Sequence, residues 1–219
     1  MWKDEKMLSD DARRAEREAM ASLVEAAVKP RDPRVVEAFR RIPRHLFVPE
    51  SERVQAYEDR PLPIGEMQTI SQPSMIALML DALECTPESR ALEVGAGSGY
   101  AAALLSCLAS EVDAIEIRPE LAARARKTLA EIGIQNVRVH AADGGRGWPD
   151  RAPFDRILVS AAPAEVPPAL SRELAIGGRI AIPVGGPMSQ RLLVGSKNAL
   201  GELEWKEDVP CLFVPLVAT

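Results

Sequence analysis

The stretch Leu92-Glu93-Val94-Gly95-Ala96-Gly97-Ser98-Gly99-Tyr100 constrains this chain most, because three glycines in five residues follow an apolar run and precede a helix-like one. Glycine lets the backbone turn sharply and approach a ligand closely, so the segment reads as a strand-to-helix turn beside a bound molecule. The residues after Pro87 extend that reading. Ala91–Val94 is a strand, Tyr100–Ala109 a helix, Val112–Ile117 a strand, and Arg118–Ile132 a helix closed by Gly133 with Leu121, Ala125, Leu129 and Ile132 inward. Val137–Ala141 and Phe154–Ala161 are strands, Pro168–Ala175 a helix ended by Gly177-Gly178, and Arg179–Val184 a strand. Such alternation predicts a mostly parallel, Rossmann-like doubly wound α/β sheet with a ligand at the carboxyl ends of its strands.

The identity of the ligand follows from spacing. Glu116 ends the second strand, 21 residues after Gly95, where a carboxylate can bind two ribose hydroxyls. The dinucleotide fingerprint G-x-G-x-x-G needs glycine at position 100, but Tyr100 stands there and the chain reads G-x-G-x-G. Glu93, two places before the first glycine, adds negative charge where an ammonium or sulfonium is favoured and a phosphate is not. The combination looks like the S-adenosylmethionine site of class I methyltransferases. That likeness implies cofactor contacts from Glu93, Gly95, Gly97, Ser98, Gly99 and Glu116, with Asp143 and Gly144 reading the adenine edge. The competing reading of Asp143-Gly144 is a plain turn.

The flanking regions are organised differently. Ser9–Val28 reads as an amphipathic helix, with Ala12, Ala15, Ala19, Leu23 and Ala27 beside Met20 and Val24. Asp32-Pro33 opens a short helix whose Val35, Val36, Phe39 and Ile42 share a face; its arginines, Arg34, Arg40, Arg41 and Arg44, read as a solvated face rather than a phosphate site. Val48–Pro73 is proline-punctuated and irregular, the pattern of a functional loop. Pro73 begins a helix through Met75, Ile76, Leu78, Met79, Ala82 and Leu83, which places Thr69, Ile70 and Ser71 at its N-terminal mouth. Gln190–Ser196, Leu203–Glu207 and Cys211–Val217 look like consecutive antiparallel strands. The expected organisation is one domain over 1–219: helices and a covering loop (1–86), a cofactor-binding core (87–185) and C-terminal strands (186–219).

Composition excludes several functions. The net charge is −5, and residues 1–60 balance 13 basic against 13 acidic side chains, so no basic surface for nucleic acid or anionic membrane is expected. Three cysteines without a CxxC and two histidines, His45 and His140, offer neither a disulfide framework nor a metal site. Both histidines read as structural. Met1–Met20 lacks the apolar run of a signal peptide, and no run is long enough to span a membrane, so a cytoplasmic protein is expected.

Beyond the glycine loop, Arg41-Ile42-Pro43-Arg44-His45-Leu46-Phe47-Val48-Pro49, Ala56-Tyr57-Glu58-Asp59, Pro61-Leu62-Pro63-Ile64-Gly65 and Gln68-Thr69-Ile70-Ser71-Gln72-Pro73 closely resemble segments of protein-L-isoaspartate O-methyltransferases. So do Ala152–Asp155, Ser160–Pro163, Ile182–Gly185 and Phe213–Leu216, in the family's order over roughly residues 33–217. The resemblance implies methyl transfer from S-adenosylmethionine, leaving S-adenosylhomocysteine, to the free α-carboxylate of L-isoaspartyl residues in damaged proteins and peptides. The ester then closes to a succinimide that hydrolyses partly to aspartate. It implies Ser71 as the active-site residue, Thr69, Ile70, Ser71 and Val214 as acceptor contacts, and the loop from Tyr57 to Ile70 as a cover. A monomer is favoured.

One position departs from the pattern. Met67 stands where the family usually has glycine before Gln-Thr-Ile-Ser, so a positive φ there would cost about 1 kcal/mol, or the side chain would obstruct the acceptor. Met67 is also the one feature favouring an alternative, a related class I methyltransferase acting on another carboxylate or a small molecule.

Overall fold

The structure is a computed structural model that describes residues 13–186 and 188–217. Helices α1 (Arg14–Val28) and α2 (Pro33–Arg41) are followed by 3-10 turns at Arg44–Phe47 and Glu50–Gln55, then by a small hairpin of β1 (Leu62–Gly65) and β2 (Gln68–Ile70) and by α3 (Pro73–Leu83). The core alternates β3 (Arg90–Val94), α4 (Tyr100–Leu105), β4 (Glu111–Glu116), α5 (Pro119–Glu131), β5 (Val137–Ala141), β6 (Phe154–Val159), α6 (Pro168–Glu173) and β7 (Leu174–Gly186). Strands β8 (Ser189–Lys197) and β9 (Leu203–Cys211) complete a seven-stranded sheet of order β5-β4-β3-β6-β7-β8-β9. The pairs from β5 to β7 are parallel and the last two antiparallel.

Apolar cores lie on both faces of the sheet, as a doubly wound architecture requires. Alternation along β3 sorts its side chains: Leu92 and Val94 join Ile115, Ile157 and Val159 in one core, while Ala91 joins the other. Glu93 shares the face of Ala91 and is therefore carried into the protein interior. After β5 the chain returns to the other side of β3, and this switch of direction opens a crevice between the carboxyl ends of β3 and β4 on one side and β6 on the other.

Several expectations are corrected. Of the expected first helix, Ser9–Ala12 lie outside the described residues, and its buried face is Arg17, Met20, Ala21 and Val24, with Ala15, Ala19, Leu23 and Ala27 outward. Arg17 is held there because its Nε donates to the Arg40 carbonyl at 2.6 Å. The helix after the glycine loop stops at Leu105, since the Ser106 hydroxyl takes the Ala103 carbonyl and Asn136 Nδ2 takes those of Ser106 and Ala109. Helix α6 ends at Glu173 and β7 begins at once with Leu174 opposite Phe154, ahead of Gly177-Gly178, across an irregular register.

The irregular loop contains the β1–β2 hairpin, whose two-residue turn holds Glu66 and Met67 at φ 53° and 55°. Both central residues at positive φ define a turn that favours glycine. Met67 thus carries the strain expected of it, but its side chain is 91% exposed and stands clear of the hairpin. Met67→Gly is expected to raise stability by about 0.5–1 kcal/mol, read as a higher urea midpoint at unchanged slope.

Arg44 is not on a solvated face. It is 0% exposed, and its guanidinium donates to the carbonyls of Ala56, Glu58, Arg60 and Ser71 beneath the covering loop. Arg34 and Arg40 do form surface ion pairs, with Asp32 and with Glu18 and Glu25. The third expected tail strand is absent: residues 212–216 cross instead beside the loop after β6, where Ala162 N donates to the Val214 carbonyl and Leu216 N to the Ala162 carbonyl, both at 2.8 Å. No helix of the described residues is long and apolar enough to cross a membrane.

Candidate active site

Gly95 and Gly97 adopt φ of 83° and 53°, and the amides of Gly95 and Ala96 both donate to the Ile115 carbonyl, which folds the loop against the end of β4. Glu116, at that end, accepts from Gly97 N at 2.8 Å and Arg118 N at 2.9 Å. Each of its oxygens keeps acceptor capacity toward the crevice, as binding a pair of hydroxyls requires. Gly99 acts differently. A β-carbon there would lie 3.0 Å from the Ala125 Cβ, so this glycine permits close packing on α5.

Three neighbouring cavities that share lining residues occupy the crevice. The outer one is lined by Gly95, Gly97, Glu116, Gly144, Pro215 and Leu216, among others. The inner one is bounded by Glu93, Gly97, Ser98, Tyr100, Ile70 and Ser71. The third, of about 330 Å³, is bordered by Pro61, Ser71, Gln72, Met75, Phe213 and Val214. Thr69 and Ser160 line all three. Their side chains therefore mark the meeting point, and Ser71 stands on the boundary between the inner and third cavities.

Glu93 gives the inner cavity its chemistry. Its Oε1 accepts from the Ser160 hydroxyl at 2.9 Å, while Oε2 is buried with no hydrogen-bond partner among the described residues. Burial pushes the carboxyl up to about 8, the Ser160 hydrogen bond opposing that rise and the Glu116 charge adding to it. A buried carboxylate with an unpaired oxygen fits a cationic group such as an ammonium.

The predicted site residues are distributed as follows. Glu93, Gly95, Gly97, Ser98, Glu116, Gly144, Thr69, Ile70, Ser71 and Val214 all border the cavities. The Ile70 side chain is buried with the core although the residue borders the inner cavity. Asp143 is engaged within its own turn, accepting from Gly145 N at 2.9 Å and facing Arg146, while Gly144 reaches the outer cavity. The mouth of α3 differs from expectation: its donors are not all free, because Asp59 Oδ1 accepts from Ser74 N at 2.8 Å. His45 bonds Tyr57, and His140 bonds Asp113 and stacks on Trp148, none of them lining these cavities.

Sequence reasoning missed three contributors. Ser160 holds Glu93, and Asp59 caps α3. Gln190 is buried and clamps Phe213 in both directions, accepting from its N–H at 2.6 Å and donating to its carbonyl at 3.0 Å, which fixes Val214 at the cavity wall. Ser160-Ala161-Ala162-Pro163 was visible as a motif, but nothing in a linear sequence pairs Gln190 with Phe213.

Comparison with known proteins agrees with this geometry. The family model described as protein-L-isoaspartate(D-aspartate) O-methyltransferase matches residues 15–219, reaching further toward the N-terminus than the resemblance visible in the motifs. A protein-L-isoaspartate O-methyltransferase of Synechococcus sp. is 50% identical over 194 residues, covering 85% of this chain and 79% of its own. One from Marinobacter nauticus is 49% identical over 221 residues, covering 99% and 97%. A solved protein-L-isoaspartate O-methyltransferase superposes with a TM-score of 0.83 at 28% identity, over 92% of this chain and 66% of its own. The Plasmodium falciparum structure titled as a protein of this type with S-adenosyl-L-homocysteine shares the fold, with a TM-score of 0.79 at 22% identity and coverage of 92% and 98%. Motifs, crevice and relatives converge, and the chain belongs to the protein-L-isoaspartate O-methyltransferase family.

Proposed function

We propose that this protein methylates the free α-carboxylate of L-isoaspartyl residues in damaged proteins and peptides, using S-adenosylmethionine. The observation that carries the proposal is the meeting of three cavities at Thr69 and Ser160, with Ser71 between two of them, acidic Glu93 and Glu116 on one side and, on the other, a cleft with no charged lining side chain among the described residues. S-adenosylmethionine supplies an electrophilic methyl group. Glu93 would hold its ammonium end, Glu116 its ribose hydroxyls, Gly95 and Gly97 would allow close backbone approach, and Gly144 with Leu216 would enclose the base.

The acceptor carboxyl has a pKa near ~3.5 and is ionised at neutral pH, so no general base is required. The protein's work is orientation and exclusion of water. The Ser71 hydroxyl and the backbone amides of residues 69–71 orient the carboxylate, and Val214 bounds the peptide. The residues from Tyr57 to Ile70 cover the site. Asp59 already neutralises part of the α3 dipole, which places more of the carboxylate's binding on Ser71 itself. The chain works as one methyltransferase unit, in which the described residues before 87 form helices and cover, 87–185 the cofactor core, and β8 carries the Gln190 that supports Val214. Met67 gives no support to a different acceptor, since its side chain projects into solvent.

Matched isoaspartyl and aspartyl peptides with labelled S-adenosylmethionine test the proposal: label is expected in the isoaspartyl peptide alone, and equal or absent labelling of both overturns it. Ser71→Ala is expected to reduce kcat by about 10- to 100-fold with cofactor affinity kept within about twofold, since it removes one hydrogen bond to a charged group. Unchanged turnover would remove Ser71 from the mechanism.

A further inference from the structure

Ser71 and the turn that follows it are tied to residues 56–60 by two side chains, Arg44 and Asp59. The Arg44 guanidinium gathers the carbonyls of Ala56, Glu58 and Arg60, on either side of Asp59, and takes the Ser71 carbonyl at 3.1 Å with the same group. Beyond Ser71 the contact comes from Asp59 itself. Its Oδ1 accepts from Ser74 N at 2.8 Å and its Oδ2 from Gln72 Nε2 at 3.0 Å. Residues 56–60 and 71–74 therefore form one hydrogen-bonded body.

Gln72 gives this arrangement a chemical consequence. It lines the third cavity beside Ser71, Phe213 and Val214, whereas Asp59 lines none of the three. An ionised carboxylate only accepts, so Asp59 must face the amide nitrogen of Gln72, which reserves the amide oxygen as the group Gln72 presents elsewhere. An oxygen acceptor beside Ser71 suits a backbone N–H of an extended peptide.

We propose that Asp59 is a positioning residue for methyl transfer, setting Ser71 and the Gln72 amide against the acceptor through its bonds to Gln72 Nε2 and Ser74 N. The proposal rests on the reading of the third cavity as the site of the acceptor peptide. Asp59 is more than a helix cap, because a cap needs only the bond to Ser74 N and affects stability without touching turnover.

The test is Asp59→Asn in the full chain. Asparagine keeps an oxygen for Ser74 N but turns an N–H toward Gln72, releasing or inverting its amide. Turnover of an isoaspartyl peptide is expected to fall by roughly tenfold or more, the scale of a displaced positioning contact, with cofactor Kd within about twofold of the parent. In the Ser71→Ala background the same substitution is expected to cost less than it does in the parent, because part of its effect passes through Ser71. Parental turnover in Asp59→Asn, or losses that multiply in the double variant, overturns the proposal. Should Asp59→Asn fold poorly, Gln72→Ala leaves the helix cap intact and is expected to show the same loss, and parental turnover there is equally fatal. Hydrogen exchange separates this proposal from the reading of the acceptor. Even if no isoaspartyl peptide were methylated, the amides of Ser71, Gln72 and Ser74 should exchange faster in Asp59→Asn, and unchanged protection overturns the positioning role.

Discussion

Arg44→Met is expected to destabilise the protein by about 3–5 kcal/mol, the combined cost of leaving several backbone carbonyls without their donor. The carbonyls of Ala56, Glu58, Arg60 and Ser71 would lose their common donor, and methionine has nothing to give them. The guanidinium itself is under stress: burial pushes it below its ordinary value, offset by the electrostatics of Tyr100, Asp59 and Tyr57. Its carbon centre also lies 5.8 Å from the Tyr100 ring centroid, a cation–π distance. For a chain of this size the loss corresponds to a fall in Tm of roughly 10 °C. Arg44→Lys should recover only part of it, because one ammonium cannot reproduce the planar fork that spans these acceptors. Thermal unfolding followed by circular dichroism decides the matter, and a fall below about 2 °C would mean that the loop and Ser71 do not depend on this residue.

Cofactor binding is expected to release a proton, and affinity to rise with pH between about 6 and 8. The group responsible is Glu93, whose carboxyl is pushed up to about 8 by burial. In the unliganded protein it is therefore mostly protonated at neutral pH, and a cationic ligand beside it favours the ionised form. The sign for stability follows. A folded pKa above the ordinary 4.5 means that Glu93 contributes stability fully present below about 4.5 and lost as pH rises through about 8. For the ligand the dependence is opposite, with an upper limit of roughly 50-fold tighter binding at pH 8 than at pH 6 from this one group. Glu93→Gln cannot ionise. It should bind about 10- to 100-fold more weakly at pH 8, consistent with loss of a hydrogen bond to a charged group, and its affinity should be nearly flat over the same range. Calorimetric titration in buffers of different ionisation enthalpy measures the proton directly, and parent binding without proton release would contradict the assignment.

Local signals carried much of the architecture. Helix α2 was legible from Asp32-Pro33 and the face Val35, Val36, Phe39 and Ile42, because cap and burial pattern agree. The glycine loop, Glu93 and Glu116 were legible because a strand, a tight turn and a carboxylate at the next strand's end are close in sequence. Where local rules competed with long-range partners, the partners prevailed. The alanine stripe of α1 gave way to Arg17, Met20, Ala21 and Val24 because alanine gains little from either side and Arg17 finds the Arg40 carbonyl. Phe213–Leu216 has the composition of a strand, yet Gln190 and Ala162 take its backbone groups and draw it to the crevice.

The sequence by itself determined the doubly wound sheet, the kind of ligand at its carboxyl edge and the family, since periodicity, glycine spacing and short motifs are all written locally. Only the tertiary structure decided what Arg44, Asp59 and Gln190 do. Each is a polar side chain that a linear reading assigns to the surface, and each is drawn inward by meeting donors or acceptors from another part of the chain, with its partners 12–27, 13–15 and 23 residues away. The physical reason is that a polar group withdrawn from water is stable only when its partners are in place, and those partners exist together only after the fold has formed.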